Sequence, residues 1–285
     1  MTGTLRIGTS SWSAKGWVGP FYPAGTKPAH MLTHYAQHFD TVEADVTYYR
    51  VPDRRLVEGW QRKTPPGFRM AAKFPRSVVH GGEGARPNPE RVLVPDYVQR
   101  DVETFLDNMR LLGDKLGPLL IQFPYFNRQV FASKAPFLQR LEAFLNWLPP
   151  GPRYAVELRN KSWIGTDLLD LLRAHNVALC LVDLSYMPHP AELCDKHPVA
   201  TADFVYGRLI GDRKAVDALT TTFDEIVIDR SDRLARWTDA LRPLLESVPE
   251  AYVYANNHYA GHGPDTAREL AALMNVELGP AERGS

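Results

Sequence analysis

Residues 177–183 read VALCLVD, an apolar run closed by an acid. A run of this length, rich in β-branched residues, suits a strand buried on both faces. Seven others share its form: LRIGTSS at 5–11, TVEADVTYY at 41–49, FRMAAK at 68–73, GPLLIQF at 117–123, RYAVELR at 153–159, DFVYGRL at 203–209 and AYVYANN at 251–257. Helix-like segments separate most of them, which favours repeated βαβ units over a meander. Eight such units close a (β/α)8 TIM barrel, and residues 1–285 are read as one such domain. A barrel of this kind carries its chemistry at the C-terminal ends of the strands. In chain order those ends offer Ser10, Glu43, Lys73, Gln122, Glu157 with Arg159, Asp183, Arg208 and Asn256.

Composition narrows the function classes. Lys plus Arg equals Asp plus Glu at 33 each, so no global field attracts nucleic acid or acidic lipid, although a local basic groove stays open. Cys180 and Cys194 are too few for a disulfide framework, and Cys180 within a strand reads as a small core residue. The first strand begins within a few residues of the N-terminus, leaving no room for a secretion signal. No apolar run approaches the roughly 20 residues needed to span a bilayer. The expected setting is cytoplasmic, with no membrane partner.

Helical periodicity is clearest over 97–112, where Val98, Val102, Phe105, Leu106, Met109 and Leu112 share a face. Further helices fit 134–147, 167–175 with Thr166 or Asp167 at its start, and 231–247 opening at Ser231. Two connections, 74–96 and 184–202, are long, as lids and binding loops often are.

The runs IGTSSWSAKGWVGPFYP, VEADVTYYRVP, FRMAAKFPRSVVH, LGDKLGPLLIQFP, VELRNKSW, FVYGRLIG and NNHYAGHGPDTA, in this order, resemble the motifs of the domain-of-unknown-function 72, or YecE-like, family. The resemblance spans nearly the whole chain and implies a TIM barrel, with no settled reaction. Against the family pattern, Asp45 stands where Asn is usual, Val79 replaces a Thr before His80, and Tyr125 replaces the second of two prolines. Ile210 replaces a His that often follows the Arg-Leu pair.

The strand-end charges suggest a mouth in which Glu43, Glu157 and Asp183 serve as acid–base groups beside Lys73, Arg159 and Arg208. Mixed charges of this kind couple titrations, as general acid–base sites do, and they equally suit a structural ion-pair network. Glu157 and Arg159 lie two apart on one strand face, so Glu157 is expected to matter most, with Lys73, Arg159 and Arg208 holding an anion. Gln122, Asn256, Trp12, Tyr48, His80, Trp163 and His258 are further ligand-binding candidates, because rings with polar tips suit flat or sugar-like ligands. His30, His34 and His38 share a helical stripe without the Glu of a zincin motif and read as a solvated edge. A hard-metal site from Glu43, Glu157 and Asp183 is an alternative, but no metal and no cofactor is assigned. In the last loop, Asp265 is expected to cap a helix and to repel phosphate. The leading expectation is an acid–base enzyme for a small polar or anionic ligand. Alternatives are a nucleotide or single-stranded nucleic-acid binder, and a metal-assisted hydrolase or isomerase.

Overall fold

The computed structural model describes residues 3–280. Its strands are β1 (Thr4–Thr9), β2 (Thr41–Ala44), β3 (Arg69–Lys73), β4 (Leu116–Gln122), β5 (Tyr154–Glu157), β6 (Ala178–Leu184), β7 (Phe204–Gly211) and β8 (Glu250–Ala255). All pair in parallel, in the order β1-β8-β7-β6-β5-β4-β3-β2. This is a TIM barrel, wrapped by helices and nearly closed on itself.

Alternation along each strand divides the core in two. One set packs outward under the helices, including Ile7, Val42, Met70, Leu119, Val156, Leu179, Leu181 and Leu209. The other fills the barrel interior: Ala71, Leu120, Ala155, Cys180, Val182, Tyr206, Tyr252 and Tyr254 among them. Large rings from β7 and β8 thus fill the space that alanines on β3 and β5 leave. Their hydroxyls reach across to β2, Tyr206 to Glu43 at 2.7 Å and Tyr254 to Thr41 at 2.8 Å.

The ring closes between β1 and β2 without a strand ladder. Tyr35, on the helix Pro28–Tyr35, inserts its hydroxyl into this seam instead. It accepts from the Thr9 N–H at 2.9 Å and donates to the Thr41 carbonyl at 3.0 Å. Gly8 permits the close approach, since a Cβ there would stand 2.2 Å from the Thr41 oxygen. Below, Arg6 pairs with Asp40 and with Glu250, which also holds Arg153 at 2.5 Å, so ion pairs close the N-terminal end.

Several local expectations shift. Strand two is shorter than its run, because the chain turns at Asp45 into a 3-10 turn, Asp45–Tyr48. Strand five ends at Glu157, which leaves Arg159 just beyond it. The helix expected at 97–112 runs Pro95–Met109 and continues as a 3-10 segment, while Lys134–Trp147, Thr166–Ala174 and Ser231–Ser247 lie where periodicity places them. His38 falls past the end of its helix, and the His34 and His38 rings pack on Phe21 while staying partly exposed, with His30 exposed beside them. Asp265 is not an N-cap: the final helix, Gly263–Met274, starts with Pro264 in its first turn, and Asp265 pairs there with His262 and Arg268. Among the described residues, no helix is long and apolar enough to cross a membrane.

Candidate functional site

The C-terminal ends of the strands open into a cleft of about 760 Å³. Its floor is built from residues in phase with the barrel interior: Lys73 on β3, Gln122 on β4 and Arg208 on β7, with Asp45 beside them. Arg159, Asn256 and His258 form the walls, and Tyr48, Tyr49 and Tyr186 contribute rings. Gly211 ends β7 with φ of +75°, a conformation that favours glycine. A side chain there would also meet the His258 carbonyl at 2.5 Å, so the glycine lets the last βα turn close against the cleft.

Beneath the floor, Arg208 organises the charges. It is 2 % exposed, and its guanidinium donates to Glu157 Oε2 at 2.5 Å, Gln122 Oε1 at 2.9 Å and Glu43 Oε1 at 2.9 Å. The second Glu157 oxygen accepts from Arg159 Nε at 3.0 Å, and the second Glu43 oxygen accepts from the Tyr206 hydroxyl. A cation inside a barrel is costly unless paired, and here two carboxylates from opposite arcs of the ring meet it. Burial pushes the Glu157 carboxyl up, but Arg208 and Arg159 outweigh burial and hold it below the ordinary range. Both acids are fully buried and lie under the cleft rather than in its lining.

Two groups in the lining behave differently. Burial raises the Asp45 carboxyl, and Glu43 adds to the effect against the opposing pull of Lys73 and Arg208. Burial also lowers the Lys73 ammonium, and the Arg208 charge lowers it further. An acid held toward its protonated form thus adjoins an amine held toward its neutral form. Shifts in these opposed directions are common where side chains act as acids and bases.

Lys73, Arg159, Arg208, Gln122, Asn256, Tyr48 and His258 line the cleft, while Glu43 and Glu157 lie one layer below it. Four expected residues lie outside the cleft lining: Asp183, Trp12, Trp163 and His80. Asp183 is out of phase with the interior and points under the helices, bonded to Arg233, to Trp237 Nε1 at 3.1 Å and to the Tyr259 hydroxyl at 3.0 Å. Trp12 packs edge-on against Trp60. Trp163 packs among Phe126, Phe131 and Phe137, fixing a loop to the helix Lys134–Trp147. His80 stands behind the wall, its Nε2 3.0 Å from the Tyr48 hydroxyl. Asn256 and His258 are tied together at 2.9 Å, with the other His258 nitrogen 3.1 Å from Asp217. The carboxylate set considered for a hard metal does not assemble, since the Arg208 guanidinium lies between Glu43 and Glu157 and Asp183 faces away. Among the described residues, no cluster of three His, Cys, Asp or Glu side chains is spaced to hold a metal ion.

Sequence reasoning passed over Asp45 as a site residue. Its signal in the sequence was position alone, two residues after Glu43 in the run that holds β2.

Known proteins share this architecture and its motifs. The chain is 29% identical to the UPF0759 protein YecE of Escherichia coli K12 over 156 residues, which span 55% of this chain and about half (48%) of YecE. It is 22% identical to the UPF0759 protein YunF of Bacillus subtilis over 283 residues, covering 96% of this chain and 95% of that one. The crystal structure of a DUF72 family protein from Thermotoga maritima superposes with a TM-score of 0.72 at 27% identity, over 95% of this chain and 99% of that one. The family described as "Protein of unknown function DUF72" matches residues 6–283, and the chain belongs to it.

Proposed function

We propose that this protein is an enzyme that works by acid–base chemistry on a small anionic ligand bound in the C-terminal cleft. The observation that carries the reading is that Asp45 and Lys73 line the same cleft, where burial holds each toward its uncharged form. Asp45 and Lys73 move protons, in place of the Glu157, Glu43 and Asp183 set that strand-end position suggested. Glu43 and Glu157 act as positioning residues, fixing Arg208 as a permanent positive charge under the ligand. Arg159, anchored through Nε to Glu157, turns the rest of its guanidinium to the cleft and binds the anionic group. Gln122, Asn256 and His258 supply orienting hydrogen bonds.

A thermal-shift screen of anionic metabolites tests the reading. A ligand present at 100 times its Kd stabilises a protein by about 2.7 kcal/mol, which raises Tm by roughly 5 °C in a chain of this size. The stabilisation should vanish in Arg159→Met, and turnover should vanish in Asp45→Asn with the shift retained. A screen in which no anion stabilises the protein, or in which Arg159→Met responds like wild type, removes the proposal.

A second reading is favoured by the rim. Tyr49 and Tyr186 are 65% and 50% exposed beside the solvent-facing Arg213 and Lys214. Exposed rings among cations stack nucleobases, so a nucleotide or single-stranded nucleic acid suits this surface. Such binding should weaken steeply with salt and with Tyr49→Ala, whereas small-ligand turnover should not.

A further inference from the structure

Among the described residues, Lys73 has no hydrogen-bond partner for its amine, although it lines the cleft floor. It is 8% exposed, and its closest charged partner is Glu43 Oε1, at 3.7 Å, beyond hydrogen-bond distance. That oxygen already accepts from Arg208 at 2.9 Å, and its twin accepts from Tyr206 at 2.7 Å. Glu43 therefore spends its charge on Arg208. The charged groups facing the amine are Glu43 and Asp45 from β2 and the turn after it, Glu157 from β5 and Arg208 from β7. Burial and Arg208 favour the neutral amine over the opposing pull of the three acids.

Lys115 provides a contrast within the same chain. Burial lowers its pKa as well, but its Nζ donates to the Gln61 and Thr64 carbonyls at 2.6 Å each. Lys73 has the opposite surroundings: no hydrogen bond to hold the ammonium, an open cleft above, and an acid alongside.

From this placement we propose that Lys73 is a covalent nucleophile, forming an imine with the carbonyl carbon of a small anionic aldehyde or ketone. The proposal rests on the acid–base reading of the same cleft. The neutral amine attacks the carbonyl carbon; the C–N bond forms, and the carbonyl π electrons move to oxygen, which takes a proton. The nitrogen loses its extra proton to give a carbinolamine. Asp45 then protonates the hydroxyl, the C–O bond breaks, and water leaves as the nitrogen lone pair closes the C=N bond. The net change is neutral amine, carbonyl and protonated Asp45 going to iminium, water and Asp45 carboxylate, so charge and atoms balance. Arg159 holds the anionic group of the substrate. The iminium withdraws electrons from the neighbouring carbon, where the Asp45 carboxylate left by the dehydration step can remove a proton.

Reductive trapping tests this directly. The full chain is incubated at neutral pH with sodium cyanoborohydride and, separately, glyoxylate, pyruvate, glyceraldehyde 3-phosphate or pyridoxal 5′-phosphate, then mapped by peptide mass spectrometry. A lowered pKa leaves more free amine at neutral pH, so Lys73 should label faster than exposed lysines such as Lys15 and Lys27. The adduct should disappear in Lys73→Arg and persist in Lys115→Arg. Because the labelled position is read in the wild-type chain, a variant that fails to fold leaves the result intact. Labelling spread over surface lysines with Lys73 unmodified overturns the imine. If anionic metabolites still stabilise the protein in that case, the acid–base reading survives alone; if they do not, both fall.

Discussion

Replacing Glu157 with Gln separates a buried anchor from a free catalytic acid. Gln keeps the shape of Glu157 but removes the charge that faces Arg208 at 2.5 Å and Arg159 at 3.0 Å. It also places an NH₂ donor against one of two guanidinium donors, so one of the two contacts is lost outright. Removing one partner of a buried ion pair costs about 3–5 kcal/mol. Arg208 retains Glu43 and Gln122, which places the expected loss near the lower end, about 3 kcal/mol. Such a loss lowers Tm by roughly 5 °C in a chain of this length. The sign of the pH dependence follows from the carboxyl being held below its ordinary 4.5 when folded. Its contribution is complete above the unfolded pKa and is lost as pH falls through the lower folded value. Wild type should therefore lose its advantage over Glu157→Gln on acidification below about pH 4.5, the two melting curves converging. Urea and thermal unfolding at pH 7 and at pH 3–4 measure both effects. A Glu157→Gln protein that melts within about 2 °C of wild type at neutral pH refutes the anchor argument and returns Glu157 to the catalytic candidates.

Tyr206→Phe leaves the buried Glu43 oxygen without its 2.7 Å donor, and unfolding should show a loss of about 1–3 kcal/mol. Asp45→Asn should raise Tm at neutral pH: the Asp45 pKa is raised in the fold, so its ionisation destabilises the protein as pH rises above the unfolded value, and the gain should fade as pH falls below the carboxylate range. Asp183→Asn, which loses the charge facing Arg233, should cost about 3 kcal/mol in thermal melts while leaving cleft-ligand affinity in the folded protein unchanged. Gly8→Ala drives a methyl to 2.2 Å from the Thr41 oxygen, and soluble yield and Tm should both fall, by about 3 kcal/mol or more.

The barrel was legible because its strands are buried on both faces and spell themselves as apolar runs. Which strand-end charges face inward was legible only in part. Asp183 closes its run just as Glu157 nearly closes another, yet it keeps phase with Leu179 and Leu181, which pack outward. Counting by twos along β6 places it under the helices; position at the strand end does not. Trp12 and Trp163 lie outside the regular strands, where no period sets the direction of a ring. The contacts of Arg208 with Glu43 and Glu157 join residues 165 and 51 apart in sequence, and ring closure alone brings them together. The opposed shifts of Asp45 and Lys73 arise from burial and from this assembled charge set, neither of which exists in the linear chain.

The seam between β1 and β2 sets an order on biosynthesis. β1 takes its ladder partners from β8, and residues as far apart as Arg6 and Glu250 (244 positions) meet there. At about 5–20 residues per second, the first strand emerges roughly 10–50 s before the strand that completes it. During that interval its backbone donors lack their native ladder, because the nearer neighbour offers one tyrosine hydroxyl in place of a row of carbonyls. A chain shortened before Glu250 would keep β1 in that state for its lifetime, as an open edge able to recruit the β8 of a full-length chain.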